Sequence, residues 1–183
     1  MTPGFREFLP PWIARQPWYL GDAVPRLRLV GTLRFEDPEG VVGMETHLVD
    51  DGSRLYQVPM TYRGTPLESH DAEAALISVS EHSVLGPRWI YDATVDPAWR
   101  RRILELVEGE GTADSGTASA TGRRIGPHPL DGASIGVVRV LDEGELYLGP
   151  EVVGLLCGAW HPEGPDGREA TGSLAVLRRP PRL

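Results

Sequence analysis

Leu27-Arg28-Leu29-Val30-Gly31-Thr32-Leu33-Arg34-Phe35, then Asp37-Pro38-Glu39-Gly40, then Val42-Gly43-Met44-Glu45-Thr46-His47-Leu48 is the stretch whose reading decides the fold. Leu27, Leu29, Leu33 and Phe35 alternate with Arg26, Arg28, Thr32 and Arg34, the period of a half-buried strand. The Asp-Pro-Glu-Gly run is a turn. It leads to a second strand with Val42, Met44, Thr46 and Leu48 on one face. Asp50-Asp51-Gly52-Ser53 then closes a hairpin into a third strand, where Tyr56, Val58, Met60 and Tyr62 share a face. Pro59 lacks a donor for the ladder, which predicts an edge position or a bulge.

Working outward, Phe5, Phe8, Leu9, Trp12 and Ile13 form the stripe of a core-facing helix. Pro10 and Pro11 predict that this helix ends near Leu9 and resumes as a separate turn through Ala14. Weaker strand signals follow near 76–80 and 88–91. Asp96 and Pro97 then open a helix with Trp99, Ile103, Leu106 and Val107 buried and Gly109 as its stop. Residues 110–120 are rich in Gly, Ser, Thr and Ala and read as a linker or long loop. Strand-like runs return at 135–141, 145–148, 152–160 and 170–177, with turns at Glu143-Gly144 and Pro165-Asp166-Gly167 and no further helix. The expected class is α+β: an antiparallel sheet with flanking helices, then additional antiparallel strands. The expected divisions are 1–108, a connection at 109–119, and a β-rich extension at 120–183 that either stands apart or completes the same sheet.

Composition excludes several chemistries. All 18 basic residues among the 183 are arginine; lysine and asparagine are absent. A P-loop, a kinase lysine strand, a kinase catalytic-loop asparagine and a Schiff base therefore cannot be built from these residues. A net charge of -8 argues against nucleic acid as partner. Arg100-Arg101-Arg102 reads as a solvated helix face. No apolar run reaches membrane-spanning length and no signal-peptide core opens the chain, so a cytoplasmic protein without membrane association is expected. The single Cys157 fits a reducing compartment and reads as a small core residue.

Gly132-Ala133-Ser134-Ile135-Gly136 matches G-x-S-x-G, with Asp142 and His161 following in hydrolase order. The motif needs a strand, a sharp turn and a helix, whereas Val137-Val138-Arg139-Val140 continues as strand, so a Gly-rich turn is the better reading. The five histidines lack zinc-ligand spacing, although His47 and His82 could meet across neighbouring strands. Aromatic groups at Trp12, Trp18 and Tyr19, and at Trp89, Tyr91 and Trp99, suit either a packed core or stacking on a sugar.

Three strings carry a resemblance. Trp12-Ile13-Ala14-Arg15-Gln16-Pro17-Trp18-Tyr19 is similar to the W-L-x-x-Q-R-W-[FY] opening of the maltokinase N-terminal cap domain family. Tyr56-Gln57-Val58-Pro59-Met60-Thr61-Tyr62 resembles its Y-x-V-P-L-x-Y strand, and Tyr91-Asp92-Ala93-Thr94-Val95-Asp96-Pro97 resembles its Y-D-A-x-x-D-P string. Together they cover roughly residues 5–108. The resemblance implies a curved, cystatin-like antiparallel sheet with helices, which in that family is mounted on a kinase-like body that phosphorylates maltose. Residues 120–150 faintly resemble the first strands after the cap, with Gly132-Ala133-Ser134 near the family's S-N-T-S turn, but Glu145-Leu146-Tyr147-Leu148 stands where its lysine strand would be. The chain therefore reads as a free-standing cap, with no catalytic residue, cofactor or metal implied. The expectation is a non-catalytic accessory protein of α-glucan, trehalose or maltose metabolism, with a protein partner. A sugar-binding module is the alternative, and a Ser134 hydrolase a remote one. The candidate binding surface is Trp12, Arg15, Trp18, Tyr19, Tyr62 and Arg63.

Overall fold

Asp37 and Asp51 shape the two hairpins on which the meander depends. The Asp37 carboxylate accepts amides from Glu39, Val41 and Val42, and Asp51 accepts those of Ser53 and Arg54. In this computed structural model, which describes residues 1–142 and 149–180, the turns join β1 (Arg28–Phe35), β2 (Gly43–Asp50) and β3 (Leu55–Arg63). β4 (Leu76–His82) and β5 (Gly86–Asp92) extend the sheet beyond β3, giving the antiparallel order β4-β5-β3-β2-β1. The single face expected for Leu27, Leu29, Leu33 and Phe35 is interrupted by a register shift between Leu29 and Gly31. That shift leaves Leu29 exposed while Leu33 and Phe35 stay buried.

Helix α1 (Phe5–Ile13) covers one sheet face and buries Phe8, Leu9, Trp12 and Ile13 against Val49, Tyr56, Val58, Met60, Ile77 and Ile90. It runs unbroken through Pro10 and Pro11, contrary to the expected break. The prolines remove hydrogen bonds to the carbonyls of Arg6 and Glu7, both exposed residues that water can serve. Each buried side chain on the stripe contributes about 1.5–3 kcal/mol, enough to outweigh two absent bonds.

The opposite face is covered by α3 (Pro97–Glu108) and a second sheet; the small helix α2 (Ala72–Ala75) precedes β4. Asp96 caps α3 by accepting the Ala98 amide at 2.9 Å, as the Asp-Pro pair predicts. The second sheet has the order β7-β10-β11-β8, from Ser119–Arg124, Val152–Trp160, Ala170–Arg178 and Ser134–Val137. Trp99, Ile103, Leu33, Phe35, Leu156, Trp160 and Leu174 belong to one buried cluster, so the two sheets and α3 share a core. Gly122 and Gly154 let this sheet approach α3: a Cβ at the first would overlap the Leu106 carbonyl, and at the second Val107.

Three expectations are corrected here. Of the two readings of 109–119, a linker or a long loop, the structure has a packed loop: β6 (Ser115–Gly116) pairs with β1 at Arg34 and Leu33, and the Ala113 amide bonds the Ala120 carbonyl at 2.8 Å. The boundary drawn at 108 accordingly falls inside a shared core. The run 135–141 is two strands, because β8 belongs to the second sheet while β9 (Val140–Leu141) pairs with β3 in the first. Pro59 sits in central β3 rather than at an edge or bulge. The Gln57 amide points to the Arg139 carbonyl at 2.9 Å, so the Pro59 nitrogen faces the same side. There it meets the gap between the residues paired to β9 and those paired to β5. Among the described residues no helix follows α3, as expected. The expected strand at 145–148 and the turn at Glu143-Gly144 lie outside the described residues.

Candidate binding surface

Sequence reasoning grouped six residues that the fold distributes over three places. Trp12 is only 2% exposed and belongs to the core beneath α1. Trp18 and Tyr19 are half-buried beside it, with ring centroids 6.0 and 5.5 Å from Tyr56. The Arg139 guanidinium lies 5.0 Å from the Trp18 ring centre and pairs with Asp92; the Tyr19 hydroxyl donates to the Ala23 carbonyl at 3.0 Å. These rings therefore close the end of the α1 layer with their faces already occupied. Arg15 is exposed next to them. Tyr62 is on the same sheet face but six residues further along β3 than Tyr56, about 20 Å away at the strand rise. Arg63 points to the other face and grips Asp96 with two hydrogen bonds of 2.7 Å.

Ser134 and His161 do not meet. Ser134 begins β8 opposite Arg178, whereas His161 follows Trp160, which pairs with Ala170 at the far end of β11. Eight residues of strand separate those partners, about 26 Å, so no hydrolase triad forms. His47 and His82 are also apart, on β2 and β4, which are not neighbours. His47 is buried with Phe5 edge-on to it at 5.1 Å, and His82 Nδ1 accepts the amides of Val84 and Leu85. Of the Arg100-Arg101-Arg102 run, Arg101 stays solvated as expected while facing Asp37 and Glu39, whereas Arg100 and Arg102 are half-buried and reach the Ala133 carbonyl and Asp114.

Sequence reasoning missed the concave feature around Tyr62. α1 starts at Phe5, over His47, and the sheet beyond that point carries Arg34, Glu45 and Tyr62 on the same face. A groove of about 580 Å³ opens there between the β1–β2 connection and the β4–β5 hairpin, which supplies His82, Leu85 and Arg88. Glu45 lies 3.4 Å from His47 Nε2 and 3.7 Å from Arg34. The His47 contact holds its carboxyl below the usual range against the opposing effect of burial, with Arg34 and Tyr62 assisting. Burial, and secondarily the Glu45 charge, push the Tyr62 phenol up, so it stays protonated. No heptad, repeat or motif announces this groove; it arises because α1 is shorter than the sheet it covers.

The fold defines an α+β protein built on an antiparallel meander with helices against both faces. Within it, residues 12–96 match the family model of the maltokinase N-terminal cap domain, which makes this stretch similar to such a cap. The match runs from α1 to the cap of α3, somewhat less than the roughly 5–108 suggested by the three strings. No curated protein matches the chain. Among the described residues, no three His, Cys, Asp or Glu side chains converge to hold a metal ion, and no helix is long and apolar enough to cross a membrane.

Proposed function

We propose that the chain acts by contact rather than by catalysis, as a cytoplasmic accessory protein for an enzyme or assembly of α-glucan, trehalose or maltose metabolism. One observation carries this reading: a cap-like domain at 12–96 occurs in a sequence without a single lysine or asparagine. The residues that bind and orient nucleotide phosphates in kinases have no counterpart to be drawn from. The tagged protein, recovered from its native cells, is expected to co-purify with an enzyme of glucan or trehalose metabolism in stoichiometric amount. It is also expected to give no calorimetric ATP isotherm and no ATP turnover. Saturable ATP binding, or recovery without any such enzyme, would count against the proposal.

A second reading, a small sugar-binding module, draws on the Tyr62 groove, whose volume and mixed lining suit a small molecule. Titration with a neutral disaccharide tests it.

A further inference from the structure

The charged groups around the Tyr62 groove differ in how far they are already engaged. Asp37 is satisfied by three backbone amides and faces Arg101 at 3.7 Å. Glu45 has His47 and Arg34 beside it, and Glu36 is exposed to solvent screening. Arg88 is different. Among the described residues its side chain forms no ion pair, and the one hydrogen bond of its guanidinium is to the carbonyl of its neighbour Pro87. Gly64 makes room for its guanidinium: a Cβ there would lie 3.0 Å from Nη1. His82 adds a second donor, because Nδ1 accepts two amides and the ring proton is thereby left on Nε2. Val41 and Leu85, 66% and 58% exposed, line the same groove as apolar walls.

We propose that this groove binds a small organic anion, a carboxylate or phosphate monoester on a ring-sized body, with the anionic oxygens on Arg88. A guanidinium presents two parallel N–H donors that match either group. His82 supplies a further donor, and the body rests against Val41 and Leu85. The volume of about 580 Å³ accommodates a ligand of one or two rings. The site is independent of the accessory role proposed above, so either can fail alone.

Titration of the full chain followed by amide NMR separates the outcomes, with phenyl phosphate and benzoate as probes. Inorganic phosphate, benzyl alcohol and maltose are the comparison arms. Saturable shifts are expected for both aromatic anions at the β1–β2 connection and the β4–β5 hairpin. Arg88→Gln should weaken them about tenfold or more, the effect of one lost charge-assisted pair, with an unchanged melting temperature. Glu45→Gln removes a like charge and should leave anion binding equal or tighter, whereas a site for neutral sugars or cations would be weakened. Inorganic phosphate binding as tightly as phenyl phosphate would mean an adventitious ion only and overturn the proposal. So would saturable maltose shifts without anion shifts, or anion binding indifferent to Arg88→Gln.

Discussion

Asp96 joins two elements through one carboxylate, capping α3 with one oxygen and receiving Arg63 from β3 on both. It is 1% exposed. Burial pushes its carboxyl up, but the bonds from Arg63 and the Ala98 amide prevail and the net shift is downward. A folded value below the unfolded value of about 3.9 means that the stabilisation is fully present above roughly pH 4. It is lost as pH falls through the lower folded value. Asp96→Asn should therefore cost about 3–5 kcal/mol at pH 7, because Arg63 loses its buried partner. The difference from wild type should shrink in urea melts at pH 3, and a difference independent of pH would contradict this account. Trp99 offers a second test at the same scale. Its truncation to alanine should cost about 3–5 kcal/mol. Arg101, whose side chain is 47% exposed, should cost under about 1 kcal/mol when truncated, even though it pairs with Asp37 and Glu39. Equal denaturation midpoints for the two variants would place Trp99 outside the core.

At the scale of elements, the segment from β8 to β9 crosses from one sheet to the other, and Gln57 holds the crossing. Its side-chain amide donates to the carbonyls of Val138 and Leu174 at 2.9 and 2.7 Å, while the Val138 amide bonds the Leu174 carbonyl. Gln57→Leu should take the side-chain donor from the Val138 carbonyl and leave the Leu174 carbonyl with the Val138 amide alone in a buried junction, a loss of about 1–3 kcal/mol. Hydrogen exchange at the Val138 amide reads this directly: it should quicken in the variant relative to amides in the middle of β2. Unchanged protection there would show that the junction does not depend on Gln57. The sequence pattern at 135–141 is uniform across this crossing, because a strand alternates in the same way whichever sheet it joins. Periodicity reports the strand and says nothing of its partner.

At the scale of the molecule, α3 is the shared element, with the meander on one side and β7 and β10 on the other. Thermal unfolding should be one cooperative transition, since no surface divides 1–108 from the remainder without exposing Leu33, Phe35, Trp99 and Ile103. A fragment comprising 1–108 should be insoluble or unfolded. A stable, soluble 1–108 fragment, or two separate transitions by calorimetry, would restore the boundary that the sequence suggested.

The meander, the stripe of α1 and the Asp96 cap of α3 were legible in the sequence because each depends on neighbours within a few residues: alternation, helical spacing, a cap directly before the first residue of its helix. The resemblance to the cap family was legible for the same reason, in three short local strings. What only the tertiary structure decided involves distant pairs. Gly122 and Gly154 look like breaks in a strand until α3 is placed against them. Residues 109–119 look like a linker until Ser115 and Gly116 find β1. Trp18 looks like a sugar platform until Arg139 covers it. The Tyr62 groove depends on where α1 begins relative to the end of the sheet. Side-chain chemistry and local period set the elements, but contacts between residues far apart in the chain choose which faces are covered and which stay open.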